Sequence, residues 1–336
     1  MFTIARKPIR LVELAPALLL GGVLLFPLKS IGAAQPVQPA PDPELLPELL
    51  NVMDVPREYL SEKFVSLAEE IDRFFGGERN YQESNQSVFQ LDVSRISGPD
   101  ANNGYEFSGR AKLHLPGTEK KLHLLVESDP EQNVSGDTTQ RKTAASRKTA
   151  ASNRVSVGAR YEKDKEREGY WHYSTDAGIK IRAPLEPFTR ARVSYSIREG
   201  EWLKKTTGTI FWFNSIGAGQ STQYDKERLL SEPVLFRASS SATWLHDKQN
   251  FDLNQSFTIY HTLNQRNAVS YQATVSGATH PQWQVNEYAL LLVYRHRLHR
   301  DWMFFELSPQ LHFPKDKDFQ LNPLLSMRLE ILFQNK

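Results

Sequence analysis

The chain has 336 residues, a net charge of +2 and no cysteine, and it is 24% charged and 11% aromatic with a mean hydropathy of -0.50. A chain this polar, without a run of about 18 apolar residues, is not a bundle of transmembrane helices. The absence of cysteine excludes a small exported domain held together by disulfides. The composition instead suits a transmembrane β-barrel, because only alternate residues of each strand face lipid.

The N-terminus has the order of a secretory signal peptide. Three basic residues up to Arg10 precede the apolar stretch Leu18–Phe26, and small residues follow up to Ala34. We predict a signal peptide over residues 1–34, with cleavage after Ala34. The alternative is a single transmembrane anchor, for which an apolar stretch of about a dozen residues is short.

A Pro-rich segment and an amphipathic helix follow the signal peptide. Residues 35–56 are predicted to be an extended linker. Residues 57–76 are predicted to form a helix that begins after Pro56 and ends at Gly76. Its apolar face comprises Leu60, Phe64, Leu67, Ile71, Phe74 and Phe75. A lone helix is unstable, so this face should cover the periplasmic mouth of the barrel, enter the lumen, bind another helix, or pack on the barrel base as a tether.

From about residue 85 to residue 336 the chain alternates between apolar and polar residues, which predicts an all-β domain. The predicted strands are 87–96, 104–115, 120–128, 153–163, 168–182, 189–199, 202–214, 219–230, 233–245, 250–262, 267–277, 283–297, 302–313 and 323–334. Fourteen strands, an even number, suit an antiparallel transmembrane β-barrel with both ends on one side. Residues 210–213 are apolar on both faces and 219–230 has few apolar residues, so twelve or sixteen strands remain possible.

The six tryptophans lie near predicted strand ends. If Phe333 is periplasmic, Trp171, Trp202 and Trp302 lie at the inner rim, and Trp212, Trp244 and Trp283 lie at the outer rim. Aromatic girdles at both interfaces are typical of membrane barrels. A soluble β-sandwich, the alternative fold, would place some tryptophans in its core. The pattern favours a barrel in the bacterial outer membrane, with the N-terminal segment in the periplasm.

The last strand carries a family resemblance. Between Leu324 and Phe333, apolar residues alternate with Ser326, Arg328 and Glu330. This segment resembles the closing strand of bacterial outer-membrane β-barrels, which implies recognition by the barrel-assembly machinery and contact with outer-membrane lipid. The chain departs from that pattern because three further residues follow Phe333.

The overall layout resembles a group of uncharacterised exported proteobacterial barrel proteins. The resemblance covers about residues 57–333, includes the Ile71–Gly76 segment, and implies no known active site.

The longest connection, residues 129–152, contains the hexapeptide RKTAAS twice, at 141–146 and 147–152. A small, polar and repetitive segment predicts a disordered loop. Its four basic residues suit the phosphates of lipopolysaccharide if the loop is extracellular. A solvated loop without a partner is the alternative.

The sequence predicts no catalytic residue, no metal, no cofactor and no nucleic-acid partner, because metal-ligand spacings, phosphate-binding loops and nucleophile elbows are missing. His172 and Ser174 resemble the His-x-Ser pair of outer-membrane phospholipases. In that family the pair faces lipid, whereas the alternation here turns it to the lumen. A lipid hydrolase is therefore the weakest hypothesis, and two ordinary lumen-lining residues are the alternative.

The lumen face is predicted to be basic. Its strip comprises Arg154, Arg160, Lys180, Arg182, Arg190, Arg192 and Arg198. Such a strip favours a passive, porin-like pore that prefers anions. A structural or interaction barrel, closed by ion pairs and the N-terminal helix, ranks second. The solute and the oligomeric state stay open.

Overall fold

The computed structural model describes residues 74–75, 87–99, 101, 104–115, 121–128, 130–133, 155–163, 170–299 and 302–334. The strands are β1 (Val88–Ser97), β2 (Tyr105–His114), β3 (Leu122–Ser128), β4 (Val155–Lys163), β5 (Tyr170–Lys180), β6 (Glu186–Glu199), β7 (Trp202–Phe213), β8 (Gly217–Ser231), β9 (Val234–Leu245), β10 (Asn250–Asn264), β11 (Asn267–Ala278), β12 (Gln284–His299), β13 (Met303–Pro314) and β14 (Asn322–Gln334). Short 3-10 helices occupy Pro130–Asn133 and Lys315–Lys317. The predicted signal peptide, the linker and most of the helix lie outside the described residues.

The fourteen strands form one closed antiparallel barrel in which each strand pairs with its neighbours in sequence. The barrel closes where β1 pairs with β14, from Val88 opposite Gln334 to Ser97 opposite Leu325. The predicted fold class is confirmed, and so is the strand number. The two doubtful segments are the full-length strands β7 and β8.

Side chains alternate between the two faces of the wall, as a period of two requires. On β14, Met327 and Phe333 are 42% and 50% exposed on the outside, while Ser326 and Glu330 are 4% and 0% exposed on the inside. An apolar outer face around a polar interior suits a barrel surrounded by lipid. Among the described residues, no helix is long and apolar enough to cross a membrane.

The two ends of the barrel differ in their connections. At the end that carries Phe333, two residues join β6 to β7, β8 to β9 and β10 to β11. Gly200, in the first of these turns, has a φ of 60°, a left-handed conformation that glycine adopts without steric cost. The opposite end carries the long connection between β3 and β4. Short turns are periplasmic in outer-membrane barrels, so these ends are called the periplasmic and extracellular ends.

A charge placed on the outer face should destabilise the barrel according to its depth. Leu307 lies in the middle of β13, and Met303 lies on the same face at its periplasmic end. We expect Leu307→Arg to lower the free energy of unfolding by about 2–4 kcal/mol and Met303→Arg by about 0–1 kcal/mol. Urea unfolding in lipid vesicles measures both values. Equal losses would contradict a lipid-facing outer wall.

Candidate functional site

The lumen face of β2–β6 carries buried charged side chains, which we call the first charge network. Its members are Lys112, Glu127, Arg160, Glu162, Asp176 and Arg190. At its centre, Arg160, Asp176 and Arg190 lie side by side on β4, β5 and β6. Arg160 donates to Asp176 through Nε at 2.6 Å and Nη2 at 2.9 Å, and Arg190 Nε donates at 2.6 Å. One buried carboxylate therefore binds two guanidinium groups. Burying either guanidinium group without an acidic partner would cost free energy.

The remaining members of the first charge network extend it on both sides. Glu162 accepts from Lys112 Nζ at 3.1 Å and from Arg160 Nη1 at 3.4 Å. On the other side, Arg190 Nη2 lies 3.5 Å from Glu127 Oε2. The network thus contains as many acidic as basic side chains.

The first residues of the β3–β4 connection reach the lumen charges. Within the 3-10 helix Pro130–Asn133, Glu131 pairs with Lys180, and the carbonyl of the first residue accepts from Arg190 Nη1 at 3.3 Å. Within the segment predicted to be a disordered loop, 129–152, residues 130–133 form this 3-10 helix, and its oxygen atoms bind the buried bases. The RKTAAS repeat lies outside the described residues.

A second charge network lies on β1, β2 and β12–β14. It comprises Asp92, Arg110, Arg295, Glu306, Arg328 and Glu330, with Gln90 hydrogen-bonded among them. Arg295, Glu306 and Arg328 lie side by side on β12, β13 and β14. Glu306 accepts from Arg295 Nη1 at 2.8 Å and from Arg328 Nε at 2.7 Å. Glu330 binds the same two bases at 2.5 and 2.9 Å.

Near the periplasmic end, the lumen face of β7–β11, β13, β14 and β1 changes from polar to apolar. An arc of side chains, which we call the periplasmic collar, comprises Val88, Leu203, Leu229, Leu235, Tyr260, Ala268, Phe304 and Leu332. These residues lie on the same strand faces as the lumen charges and near the periplasmic ends of eight strands. Apolar side chains at a polar lumen face require an apolar partner to leave water.

Phe74 and Phe75 supply that partner. Phe74 is buried against Val88, Ala268, Phe304 and Leu332, and its ring centroid lies 5.8 Å from that of Phe304. Phe75 packs against the other half of the collar, with its ring centroid 5.1 Å from that of Tyr260. The two rings lie edge to face at 5.8 Å. Together they connect opposite sides of the periplasmic mouth.

The predicted basic strip is divided among several environments. Arg160 and Arg190 meet in the first charge network, whereas Arg192 Nε donates to Thr209 Oγ1 at 3.4 Å. Lys180 pairs with Glu131 and lies 3.8 Å from Glu186.

Two further members of the strip, Arg182 and Arg198, are not part of the first charge network. β5 ends at Lys180, so Arg182 lies in the β5–β6 connection, where it donates to Glu186 at 3.2 Å and is about half exposed. Arg198 lies near the periplasmic end of β6. Arg154 lies outside the described residues.

Several acidic residues on the lumen face were not predicted from the sequence as partners of the bases. Asp92, Glu127, Glu186, Asp225 and Glu227 face the lumen, and the last of these binds Arg237 at 2.9 Å. The alternation along β3 does predict that Glu127 faces the lumen. Glu127 lies on the same face as His123 and Leu125, whereas Leu122, Leu124 and Val126 occupy the other face. Adding these acids removes much of the predicted basic excess.

His172 and Ser174 both face the lumen on β5, and Ser174 is buried. Positions two apart on a strand are separated by about 7 Å. Ser174 lies opposite Glu162 and Arg192 on the neighbouring strands, among charged residues rather than lipid. In the described part of the chain, no group of three or more acidic, His or Cys side chains is placed to hold a metal ion.

The tryptophans lie at or beside strand ends. Trp171, Trp202 and Trp302 lie at the periplasmic end, and Trp212, Trp244 and Trp283 lie at the extracellular end. Two of them contact outward-facing aromatic residues: the ring of Trp171 is tilted by 38° against that of Tyr195, and Trp302 stacks on Phe333. Their role as interfacial girdles stays a prediction.

Comparison with known proteins finds structural neighbours. No family model and no curated protein matches the chain. The outer membrane channel DcaP of Acinetobacter baumannii aligns with a TM-score of 0.42 and 8% identity, covering 74% of this chain and 96% of that chain. The NanC porin aligns at 0.36 and 9%, covering 72% and 98%. The CymD monoaromatic hydrocarbon channel aligns at 0.42 and 8%, covering 77% and 93%. These values assign neither a solute nor a partner.

Removing the central carboxylate of the first charge network should destabilise the barrel. We expect Asp176→Asn to lower the free energy of unfolding by about 3–5 kcal/mol, because Arg160 and Arg190 keep their charges after losing a shared partner. Glu199→Gln, which breaks the exposed pair with Lys204, is the control and should change stability little. Urea unfolding followed by heat-modifiable mobility compares them. A stable Asp176→Asn barrel would show that the buried pairs contribute little.

Proposed function

We propose that this chain is an integral outer-membrane β-barrel of the porin type whose passage is closed at rest by the segment carrying Phe74 and Phe75. The observation that carries the proposal is the contact of both rings with the periplasmic collar. A barrel of about eight strands is filled by its own side chains, whereas a wider one leaves room for an aqueous passage unless something occupies it. A barrel of fourteen strands therefore leaves room that its own side chains or an additional element must fill for closure.

The exclusion of water from the apolar collar gives a physical reason for closure. Apolar constrictions in channels close by excluding water. Burying a phenylalanine side chain stabilises by about 1.5–3 kcal/mol, from which the cost of ordering the segment must be subtracted. A net preference of a few kcal/mol is sufficient to make the closed state dominant, with a minor open population.

The charge networks bear on which ions an opened barrel would prefer. The bases of the first network face Glu127, Glu162 and Asp176, so the basic excess predicted for this wall is largely offset. The anion-preferring lumen therefore stays a prediction. It is testable in an opened barrel, because rings of Arg or Lys confer anion preference.

A barrel that never opens, serving as a structural or interaction protein, is the second candidate. It is favoured by the burial of Arg160, Arg295 and Glu330, each 0% exposed, since an aqueous pore would hydrate lumen charges. Conductance measurements separate the two candidates.

The first test removes the aromatic pair. We expect the wild-type protein to show rare, brief openings in planar bilayers, and Phe74→Ser/Phe75→Ser to show long openings, because the collar loses its apolar partner. Phe188→Ser is the control, since Phe188 faces the lumen in a separate cluster at the extracellular end. Heat-modifiable mobility verifies that each variant is folded. If the folded double variant stays silent, the closing role of Phe74 and Phe75 is wrong and the structural candidate gains support.

The opened variant also tests ion preference. A chloride preference that disappears when Arg190, Arg192 and Arg198 become Gln would support the basic lumen. Added salt should weaken this preference, because at 0.1 M the field of a charge is screened over about 10 Å. Reversal potentials in a potassium chloride gradient report this preference. Equal permeability to both ions would indicate that the paired acids neutralise the wall.

A further inference from the structure

The outer face of the barrel is not uniformly apolar. On β12–β14 its outward positions are occupied by residues such as Leu290, Leu307, Met327 and Ile331. On β7–β10, where Ile210 and Phe257 are also exposed, several of the corresponding positions form a region of small or polar side chains. This region, which we call the β8 band, comprises Thr206, Gly208, Gln220, Thr222, Ser240, Ala242 and Gln255.

Strand pairing makes the β8 band continuous. Thr222 lies between Gly208 and Ala242 on the neighbouring strands. The next outward row toward the periplasm runs from Thr206 through Tyr224 and Ser240 to Gln255. Within this row, Ser240 donates to Gln255 on the outer face. The band therefore extends across four strands, with the exposed Tyr224 within it and with Ile210 and Trp244 beside Gln220.

The band lies at the middle depth of the wall. On β7 the outward residues Trp202 and Trp212 lie at the two ends, ten positions apart. Ten residues tilted by about 40° span roughly 25 Å along the barrel axis, the height of the apolar belt of a membrane barrel. Gly208 and Thr222 lie near the centre of that distance. Thr222 is exposed there, where the surroundings of a lone barrel are hydrocarbon, and Gln220 is exposed closer to the extracellular end, opposite Ile210 and Trp244.

Polar groups at this depth lose their hydrogen bonds with water. An amide or hydroxyl without a partner in an apolar medium costs several kcal/mol. Small residues and hydrogen-bonding side chains are, by contrast, what protein–protein contacts inside membranes use, because they permit close approach and bond across the interface. The composition of the band therefore suits a protein surface better than lipid.

We propose that the β8 band is a self-association surface at which a second copy of this chain packs to form a dimer within the bilayer. Every copy crosses the membrane with the same orientation and depth. A two-fold axis parallel to the barrel axis therefore places each residue of the band opposite residues at the same height on the second copy. Gln220 then meets Gln220 and Thr222 meets Thr222, and these side chains both donate and accept hydrogen bonds. A contact of this kind is isologous, which closes the assembly at two copies.

The contact extends beyond the band to its apolar neighbours, such as Ile210 and Phe257. Over four strands spaced by about 4.8 Å and a belt of about 25 Å, it buries on the order of 1,000 Å² between two copies. This is near the lower limit for a stable protein interface. The inference requires a barrel in the bilayer and is independent of whether that barrel conducts.

Single cysteines test the proposal directly, because the chain has none of its own. Thr222→Cys places a thiol in the β8 band, and the control Met327→Cys places one on the outer face of β14, six strands away. After oxidation with copper phenanthroline in outer-membrane vesicles, we expect a disulfide-linked dimer of Thr222→Cys and little from Met327→Cys. Equal cross-linking of the two variants, or none in either, would overturn the proposal.

A second measurement uses the chain without cysteine. In lipid nanodiscs we expect the wild-type protein to have twice the mass of one chain, and Gln220→Leu/Thr222→Val to dissociate at least tenfold more readily while keeping its heat-modifiable fold. A monomeric wild-type protein, or a dimer unaffected by these substitutions, would refute the self-association surface. A Thr222→Cys adduct with a different protein would likewise assign the band to another partner.

Discussion

The absence of hydrogen-bonding solvent inside the bilayer is the constraint on which this structure depends. Every backbone N–H and C=O in the wall must be paired within the protein, so the sheet has to close on itself. β1 and β14 complete that closure along ten residue pairs. Once the wall is closed, the period of two turns one half of the side chains to lipid and directs the charged half inward.

Charges that are forced inward have to be neutralised there, and strand register determines how. On opposite parts of the wall, two rows have the same form: Arg160–Asp176–Arg190, and Arg295–Glu306–Arg328. In each row a carboxylate lies between two guanidinium groups on adjacent strands. Fork-shaped Arg groups suit this arrangement because they bind carboxylates through two parallel bonds.

Alternation made the fold predictable from sequence, because shifting a strand by one residue would turn its whole apolar face to the lumen. Contacts between strands were not predictable, since they depend on the register of each hairpin; Glu127 was therefore missed as a partner of Arg190. Phe304 lies on the lumen face of β13, and two of its apolar partners, Val88 and Ala268, come from strands that do not neighbour β13. β8 looked doubtful because its outer face is polar, the same property that defines the β8 band.

The position of the aromatic pair in the chain has a kinetic consequence. Phe75 precedes Val88, itself a member of the periplasmic collar, by thirteen positions. A covalent connection of that length extends at most about 45 Å, so a displaced ring stays near its binding place. Its effective concentration there is on the order of millimolar. If the aromatic pair closes the passage as proposed, re-closure is an intramolecular event whose rate does not depend on the amount of protein in the membrane.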